Sequence, residues 1–445
     1  VNGQVQMDDF GSMMYISPRV IKGYFAQKYL LDDPFKKFSN FKLVHSEDNL
    51  IVSELKKQGV NLNEFVYYQG IQGPIKIWEI KYPANMTLNY SYLSTDYPES
   101  LKKTWKSIKM INYILSLPLI ASFLVTLFFL PSWISRAKNA GLVGKDMNKL
   151  SWEKVAEAGG VIVIAGFILG ALLYVAIKTF YYHSYINVVE IFALLTLITI
   201  TAFIGMIDDV LGWKIGLGKR VRLFLVFFAA IPLMVINAGE SIVSIPLFNG
   251  LNLGILYSLI IIPLGIIGAS TTFNFLAGYN GLEARQGILL LGALALASFF
   301  TGSTWLSLIL LCMIFSLMAF LLFNSYPARV FPGDTMTYSI GALIAAAAIL
   351  GNLERFAVFV FIPNIIEVFL KLRGKLKMES FAQLQNDGSL SLQYGKIYGL
   401  EHLSIFILKK FKQKVYEKDV VNLINLFQII IIILAFIIFK EGIFI

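Results

Sequence analysis

The chain has 445 residues, of which 57% are hydrophobic and only 15% charged, with a formal net charge of +10 and a mean hydropathy of +0.68. Soluble domains carry about 25% charged residues, so this composition excludes an ordinary soluble protein and predicts an integral membrane protein. The single cysteine, Cys312, excludes an intrachain disulfide and a cysteine-based metal site.

Residues 1–103 differ in kind from the rest of the chain, because they are polar and contain no apolar run long enough to cross a membrane. Alternating apolar and polar residues predict β-strands at residues 41–45 and 75–80. The start of the chain lacks the charged and apolar regions of a signal peptide. We therefore expect a small α+β extracytoplasmic segment.

From about Ser107 onward, the chain alternates apolar runs with short polar links. Helices of about 17–25 apolar residues are long enough to cross a hydrocarbon core of about 30 Å. We predict spans near residues 107–130, 159–180, 187–207, 221–237, 253–272, 286–302, 304–323, 336–351, 355–371 and 420–440. The predicted fold class is therefore an all-α polytopic membrane protein with about ten transmembrane helices.

Lysines and arginines concentrate in three of the polar links, whereas the link at residues 238–252 contains none. The basic links follow the first span, follow the third span and precede the last span. By the positive-inside rule these links face the cytoplasm, which places the N-terminal segment and the C-terminus outside. Two N-glycosylation acceptor sequences, at Asn85 and Asn89, agree with an external N-terminal segment.

The stretch at residues 203–222 places two adjacent carboxylates, Asp208 and Asp209, where the third apolar run ends. A carboxylate at the membrane centre costs roughly 2.5–3.5 kcal/mol on insertion scales, so such residues are rare without a role. Either aspartate alone is compatible with an ordinary span end. The pair faces a basic cluster that includes Lys219, and this combination favours a site that handles an anion at the membrane surface.

Two later links on the same predicted face carry further polar residues. The link after the fifth span contributes Asn274, Asn280 and Glu283, and the link after the seventh span contributes Asp334. Asp334 alone is equally compatible with a helix cap. Together these groups supply the carboxylate and amide oxygens that Mg²⁺ prefers, which indicates a phosphate-bearing substrate. Their position at span ends favours interfacial chemistry over a transporter, whose polar groups lie more often at mid-span.

Three motifs carry a family resemblance: FIGMIDDVLGW at residues 203–213, NFLAGYNGLEA at 274–284 and NSYPARVFPGDT at 324–335, with VGKDMNKL at 143–150 in support. Residues from about 107 to 440 resemble the polyprenyl-phosphate N-acetylhexosamine-1-phosphate transferase family. The most similar branch is the eukaryotic and archaeal one that charges dolichyl phosphate with N-acetylglucosamine phosphate. The His cluster of bacterial members and the Arg-His-Arg triplet of eukaryotic members are absent from the last link.

The resemblance implies a reaction in which a polyprenyl (dolichyl) phosphate attacks UDP-N-acetylglucosamine and releases UMP. In this family it is the first step of lipid-linked oligosaccharide synthesis for protein N-glycosylation. By resemblance, Asn274 and Asp334 hold Mg²⁺ on the pyrophosphate, with Asp334 also in a catalytic role. Asp208 and Asp209 are implied to orient or deprotonate the acceptor phosphate.

The resemblance also implies the donor-binding residues. Lys219 is expected to neutralise a donor phosphate, and Asn280 to read the uridine with Glu157 nearby. Arg373 and Lys375 are candidates for the pyrophosphate or sugar side, although simple positive-inside charge explains them equally well. Another UDP-N-acetylhexosamine donor and a membrane transporter remain the alternatives.

The expected surroundings follow from the same resemblance. We expect a multi-pass protein of an archaeal cell membrane, or of the endoplasmic reticulum in a eukaryote, with its site on the cytoplasmic face. The expected partners are the two substrates and the lipid bilayer, with no nucleic acid. A homodimer is an assembly that the sequence leaves open.

The N-terminal segment has a resemblance of its own. Residues 8–16, DDFGSMMYI, fit the D-x-x-x-x-M-x-x-I motif of archaeal and eukaryotic oligosaccharyltransferase catalytic subunits. The segment resembles the C-terminal tail of such a subunit without its catalytic element, and an unrelated external domain is the alternative. We therefore predict an extracytoplasmic domain at residues 1–103 and a phosphoglycosyl transferase domain at residues 104–445.

Overall fold

The chain divides into two compact units, Val1–Leu101 and Lys102–Ile445. The computed structural model describes residues 4–7, 13–16, 41–48, 53, 56–57, 66–67, 71–72, 75–80, 113–150, 154–212, 216–239, 242–245 and 248–443.

The described part of the first unit consists mainly of short strands. They are β1 (Gln4–Met7), β2 (Met13–Ile16), β3 (Phe41–Glu47), β4 (Val66–Tyr67), β5 (Ile71–Gln72) and β6 (Ile75–Ile80). β3 pairs with β6 in antiparallel register, with Phe41 opposite Ile80 and Glu47 opposite Ile75, which confirms both predicted strands. Residues 8–12 of the oligosaccharyltransferase-like motif, and the acceptor sequences at Asn85 and Asn89, lie outside the described residues.

The second unit is built mainly of helices. In chain order they are α1 (Ser116–Asn139), α2 (Gly160–Ala176), α3 (Val188–Leu211), α4 (Lys219–Ala229), α5 (Ile231–Val235), α6 (Ile262–Phe273), α7 (Leu282–Phe300), α8 (Thr304–Asn324), α9 (Gly333–Leu350), α10 (Glu354–Val360), α11 (Ile362–Arg373), α12 (Leu400–Leu408), α13 (Glu417–Ile438) and α14 (Lys440–Ile443). Short π-helical segments, Ile177–Tyr181 and Tyr257–Ile261, extend α2 and precede α6.

Small antiparallel strand pairs lie in the links between these helices. They are β7 (Val143–Lys145) with β8 (Lys154–Ala156), β9 (Ile242–Ile245) with β10 (Phe248–Asn252), and β11 (Gln383–Leu384) with β12 (Leu390–Ser391). The β7–β8 pair precedes α2, and its end is bridged to the segment just before α9.

Seven helical segments among the described residues are long and apolar enough to cross a membrane: α1, α2 with its π-helical end, α3, α7, α8, α9 and α13. This confirms an all-α polytopic membrane protein. The first of them continues to Asn139, beyond the predicted end near residue 130.

Three of the ten predicted spans differ from continuous long helices. The predicted spans near 221–237 and 355–371 are each divided in two, as α4 with α5 and as α10 with α11. Pro232 and Pro363 lie in the first turn of the second helix of each pair. Because proline has no backbone N–H, it starts a helix readily but interrupts one that is already running. The predicted span near 253–272 is a shorter apolar helix, Tyr257–Phe273.

Helix α9 lies at the centre of the second unit, where it packs against α3 and α6. Its alanine-rich sequence keeps the side chains small, which lets the neighbouring helices approach closely. The approach is close at Gly205 of α3, where a Cβ atom would lie 2.5 Å from the backbone carbonyl carbon of Asp334. The end of α3 therefore meets the start of α9.

A second apolar cluster forms where the last basic link, residues 374–416, packs on the link between α6 and α7. Leu276 and Tyr279 from the α6–α7 link pack with residues of the last basic link that include Leu390, Leu400 and Val415. The last basic link thus has an apolar core of its own, which it shares with the residues around Asn280.

Candidate active site

The predicted site residues converge at one end of the helical unit. Asp208 and Asp209 lie in the last turn of α3, Asp334 lies in the first turn of α9, and Asn274 directly follows α6. Because α9 packs against both α3 and α6, these three helix ends meet. We call Asp208, Asp209 and Asp334 the aspartate cluster.

Asp209 caps the N-terminus of α9 from the neighbouring helix. Its Oδ1 accepts the backbone N–H of Asp334 at 2.6 Å, and its Oδ2 accepts the N–H and the hydroxyl of Thr335 at 3.1 and 2.6 Å. Gly333, with φ of +70°, leaves the space for this carboxylate, since a Cβ atom there would lie 2.3 Å from Asp209 Oδ2. Negative charge is stabilised at a helix N-terminus, so Asp209 holds Asp334 in place.

Asp208 faces a different set of partners. Its Oδ1 accepts the backbone N–H of Leu217 at 2.5 Å, and its Oδ2 accepts Arg222 Nη2 at 2.7 Å. Arg222 Nη1 also lies 3.5 Å from Asp334 Oδ2, and the side chains of Asp208 and Asp334 interact with each other. One guanidinium therefore compensates two carboxylates that would otherwise repel.

Asn274 is fixed by the turn of α9 that follows Asp334. Its Oδ1 accepts the hydroxyl of Thr337 at 2.8 Å, and its side chain also forms a hydrogen bond with Tyr338. The hydroxyl of Tyr338 accepts Arg222 Nη1 at 2.9 Å as well. Tyr338 therefore connects Asn274 with the arginine that bridges the aspartates.

Sequence reasoning did not single out Arg222 or Tyr338 as site residues. Tyr338 follows Asp334 by four positions on a helix, so the two side chains lie on one face, and this spacing is a usable signal. Arg222 lies 116 residues from Tyr338 along the chain, and nothing in the local pattern distinguishes it from the neighbouring basic residues.

The oxygens at this position fit a divalent cation. Asp334 and Asn274 offer carboxylate and amide oxygens, the donors that Mg²⁺ prefers, and two adjacent carboxylates favour additional positive charge. Within the described residues, no group of three or more His, Cys, Asp or Glu side chains forms a metal site. A cation held by Asp334 and Asn274 would take its remaining ligands from substrate and water, which is the habit of Mg²⁺.

Glu157 lies in the segment just before α2, and its predicted place near Asn280 stays a prediction. The backbone N–H of Phe331 donates to Ala156 O at 2.8 Å, and Trp133 Nε1 donates to the carbonyl of Glu157 at 3.0 Å. The first bond attaches the segment before α2 to the segment before α9, and the second attaches it to α1. Burial, and then the negative charge of Asp209, raises the pKa of Glu157 above its ordinary value.

Asn280 belongs to a separate polar group, which we call the Asn280 network: Asp146, Lys149, Asn280 and Glu417. Asn280 Nδ2 donates to Asp146 Oδ2 at 2.9 Å, and its backbone N–H donates to Glu417 Oε1 at 2.6 Å. Lys149 Nζ lies 2.6 Å from the same Asp146 oxygen. The network joins the first basic link, the α6–α7 link and the start of α13.

The remaining predicted residues are basic. Lys219 begins α4, and its side chain lies outside what the structure describes. Arg373 ends α11, Lys375 follows two positions later, and both are exposed. Among the described contacts, none joins Arg373 or Lys375 to the aspartate cluster, and their place in the site stays a prediction.

Comparison with known proteins identifies a family profile and several proteins that are similar to this chain. The sequence profile of glycosyl transferase family 4 matches residues 191–352, which include every member of the aspartate cluster. A protein of Saccharolobus solfataricus is 38% identical over 325 residues, which are 72% of this chain and 96% of that protein. A protein of Sulfolobus acidocaldarius is 34% identical over 299 residues, which are 67% of this chain and 89% of that protein.

Both archaeal proteins carry, as a provisional name, UDP-N-acetylglucosamine–dolichyl-phosphate N-acetylglucosaminephosphotransferase. A protein of Dictyostelium discoideum has this name without qualification. It is 30% identical over 281 residues, which are 55% of this chain and 68% of that protein. The similarity to the archaeal proteins extends over most of their length.

Proposed function

The chain belongs to glycosyl transferase family 4, and from that premise we propose that it transfers N-acetylglucosamine 1-phosphate from UDP-N-acetylglucosamine to dolichyl phosphate or a similar polyprenyl phosphate. UMP is the second product. The names of the relatives support this choice of donor and acceptor. In the cell, this reaction begins the synthesis of the lipid-linked oligosaccharide used for protein N-glycosylation.

The observation that carries the proposal is the meeting of Asp208, Asn274 and Asp334 at the ends of three packed helices. A lipid phosphate lies at the membrane surface, whereas a sugar nucleotide arrives from water. A polar site at helix ends is accessible to both, which a site at mid-membrane is not. The oxygen donors also fit the Mg²⁺ that a pyrophosphate carries.

The proposed chemistry is a direct displacement. An oxygen of the lipid phosphate attacks the sugar-bearing phosphorus of the donor, the bond from that phosphorus to the bridging oxygen breaks, and UMP leaves with the bridging oxygen. A phosphomonoester has a second pKa near 6, so most of the acceptor is already ionised at pH 7. The main difficulty is therefore to bring anions together, which requires positioning and charge neutralisation.

The side chains divide this task. Asn274 and Asp334 are proposed to hold Mg²⁺, which would neutralise charge on the donor pyrophosphate. Asp208 is proposed to face the acceptor phosphate, with Arg222 as its counter-ion. Asp209 positions Asp334 through the start of α9, and this supporting role replaces direct acceptor contact in our proposal.

The donor-side assignments rest on resemblance. Lys219 is proposed to neutralise a donor phosphate, Asn280 to read the uridine, and Arg373 with Lys375 to contact the sugar or the pyrophosphate. Both Arg373 and Lys375 are exposed, so their side chains are accessible to a donor that arrives from water.

We propose that the site faces the cytoplasm. The aspartate cluster lies at the same helix ends as the basic links after α1 and α3, and the positive-inside rule assigns such links to the cytoplasm. The archaeal relatives support an archaeal cell membrane as the location. A homodimer stays a prediction.

The deciding experiment is to incubate membranes containing the protein with several UDP-sugars and polyprenyl phosphates, and to identify the lipid product by mass spectrometry. We expect a lipid diphosphate carrying N-acetylglucosamine, with one UMP released per product. Release of UDP would indicate ordinary glycosyl transfer and contradict the proposal. A product with another N-acetylhexosamine would support the alternative donor, and uptake of UDP-sugar without lipid product would support a transporter.

A further inference from the structure

Asp146 restrains the side chain of Asn280 without being exposed itself. Both residues are 5% exposed, and Asn280 Nδ2 donates to Asp146 Oδ2 at 2.9 Å. The other carboxylate oxygen accepts the backbone N–H of Asn148 at 3.2 Å, and Lys149 lies 2.6 Å from Oδ2. The carboxylate is thus held on three sides.

This contact decides which end of the Asn280 amide faces away from Asp146. An ionised carboxylate accepts hydrogen bonds but donates none, so only the NH₂ end of the amide can face it. The amide oxygen of Asn280 must then point elsewhere. None of the described residues donates a hydrogen bond to this oxygen, and the oxygen is not fully buried.

A free acceptor at this position distinguishes the two pyrimidines. Uracil presents an N–H donor at N3, whereas cytosine presents a bare nitrogen acceptor at the same place. A site that offers an oxygen to N3 binds uracil and leaves an unpaired acceptor opposite cytosine, which costs affinity.

We propose that Asp146 is the positioning residue that makes this site select uridine over cytidine nucleotides, by fixing the amide of Asn280 with its oxygen toward the base. This inference rests on the proposed function, in which Asn280 reads the uridine. It adds a residue that does not contact the substrate and that nevertheless sets the choice of nucleotide.

The test measures the binding of UMP and CMP to the detergent-solubilised full-length protein by calorimetry, so it does not depend on turnover. In Asp146→Asn, position 146 can donate as well as accept, and both orientations of the Asn280 amide become accessible. We expect the ratio of UMP to CMP affinity to fall about tenfold, equivalent to about 1.4 kcal/mol.

A reciprocal exchange of the two side chains keeps the number of charges unchanged. It therefore separates the effect of the amide orientation from the effect of a lost charge. In the double variant Asp146→Asn plus Asn280→Asp, the new amide at position 146 donates to the new carboxylate at position 280. The second carboxylate oxygen then offers an acceptor to the base, and we expect most of the preference for UMP to return. A merely structural role of Asp146 would not predict this recovery.

Glu417→Gln is the matched control, because Glu417 holds only the backbone N–H of Asn280. We expect it to weaken UMP and CMP binding by the same factor. If Asp146→Asn also weakens both equally, or if the double variant fails to recover the preference, the inference is overturned. If the wild-type protein binds neither nucleotide but transfers sugar phosphate from another donor, the uridine assignment itself fails, and the inference fails with it.

Discussion

The carboxylate of Asp209 accepts the backbone N–H of Asp334 at 2.6 Å, across a separation of 125 residues along the chain. The two adjacent aspartates at the end of α3 therefore have different partners. Asp209 is directed to the start of α9, whereas Asp208 is directed to Arg222 and Leu217. Asp209 therefore supports the start of α9, whereas Asp208 interacts with the side chain of Asp334, the proposed metal ligand.

The first prediction concerns this support. Asp209→Asn replaces one acceptor oxygen with an NH₂ group that faces the N–H donors of α9, so we expect a loss of about 1–2 kcal/mol in unfolding free energy. We also expect weaker Mg²⁺ dependence of donor binding, because Asp334 is no longer fixed. Thermal unfolding in detergent and donor binding across a Mg²⁺ titration measure the two effects.

Thr335→Ser is the control for that experiment, since it keeps the hydroxyl that donates to Asp209. It should retain nearly wild-type stability and metal dependence. Equal stability of Asp209→Asn and the wild type would show that the cap contributes nothing.

The second prediction separates the metal side from the acceptor side. Asp334→Asn keeps size and hydrogen bonding but removes the charge that offsets the cation, so we expect the rate to fall at least about 100-fold. Asp208→Asn should also slow turnover, with donor and metal binding better preserved. The measurement is the affinity for UDP-N-acetylglucosamine across a Mg²⁺ titration. Weakened metal-dependent binding in Asp208→Asn alone would reverse the two roles.

The third prediction concerns Arg222. Arg222→Met leaves the carboxylates of Asp208 and Asp334 close together without their shared counter-ion. In EDTA we expect this variant to have a lower free energy of unfolding than the wild type. An exposed ion pair contributes up to about 1 kcal/mol, and breaking a buried one costs about 3–5 kcal/mol. We expect a loss between these two values. Added Mg²⁺ should restore part of the loss, because a cation takes over the compensation.

Two variants sharpen the Arg222 experiment. Arg222→Lys keeps the charge but not the planar fork that reaches two partners, so it should be intermediate. Arg220→Met removes an exposed arginine two positions away and should be nearly neutral. A loss in Arg220→Met as large as in Arg222→Met would indicate a general charge effect.

The fourth prediction is a pH dependence. The pKa of Glu157 is raised by burial and by Asp209, so the folded protein binds this proton more tightly than the unfolded chain does. Its contribution to stability is therefore present at low pH and is lost as the pH rises through the raised pKa. Glu157→Gln stays neutral at every pH. Its free energy of unfolding should therefore rise relative to that of the wild type as the pH increases above the ordinary pKa of a Glu side chain.

Thermal unfolding of both proteins between pH 5 and pH 8 checks this sign. Glu379→Gln, at an exposed position in the last basic link, provides a comparison without the burial. A difference between Glu157→Gln and the wild type that shrinks toward high pH would contradict the prediction.

The fifth prediction concerns topology. In a background where the buried Cys312 is replaced by Ala, a cysteine at exposed Tyr185, between α2 and α3, should be labelled from outside intact cells. A cysteine at exposed Gln393, in the last basic link, should be labelled only after permeabilisation. The reverse pattern would place the aspartate cluster on the outer face.

The sequence predicted the helical membrane fold and the meeting of Asp208, Asn274 and Asp334, because apolar run length and the order of links constrain where such residues lie. It did not predict that Asp208 and Asp209 have different hydrogen-bond partners, although neighbouring helix residues point about 100° apart. Pro232 and Pro363 were also available signals for the divided helices. The contacts of Arg222 and Asp146 join distant parts of the chain, and no local pattern encodes them.

Two of the glycines beside the aspartate cluster, Gly205 and Gly333, carry a consequence for variation among related sequences. A side chain at Gly205 would meet the backbone of Asp334, and a side chain at Gly333 would occupy the space of the Asp209 carboxylate. These positions cannot diverge independently of Asp209 and Asp334, so we expect the four to change together or not at all. In a comparison of related sequences, a substitution of either glycine should therefore be interpreted as a change to the candidate active site, even though glycine has no functional group in its side chain.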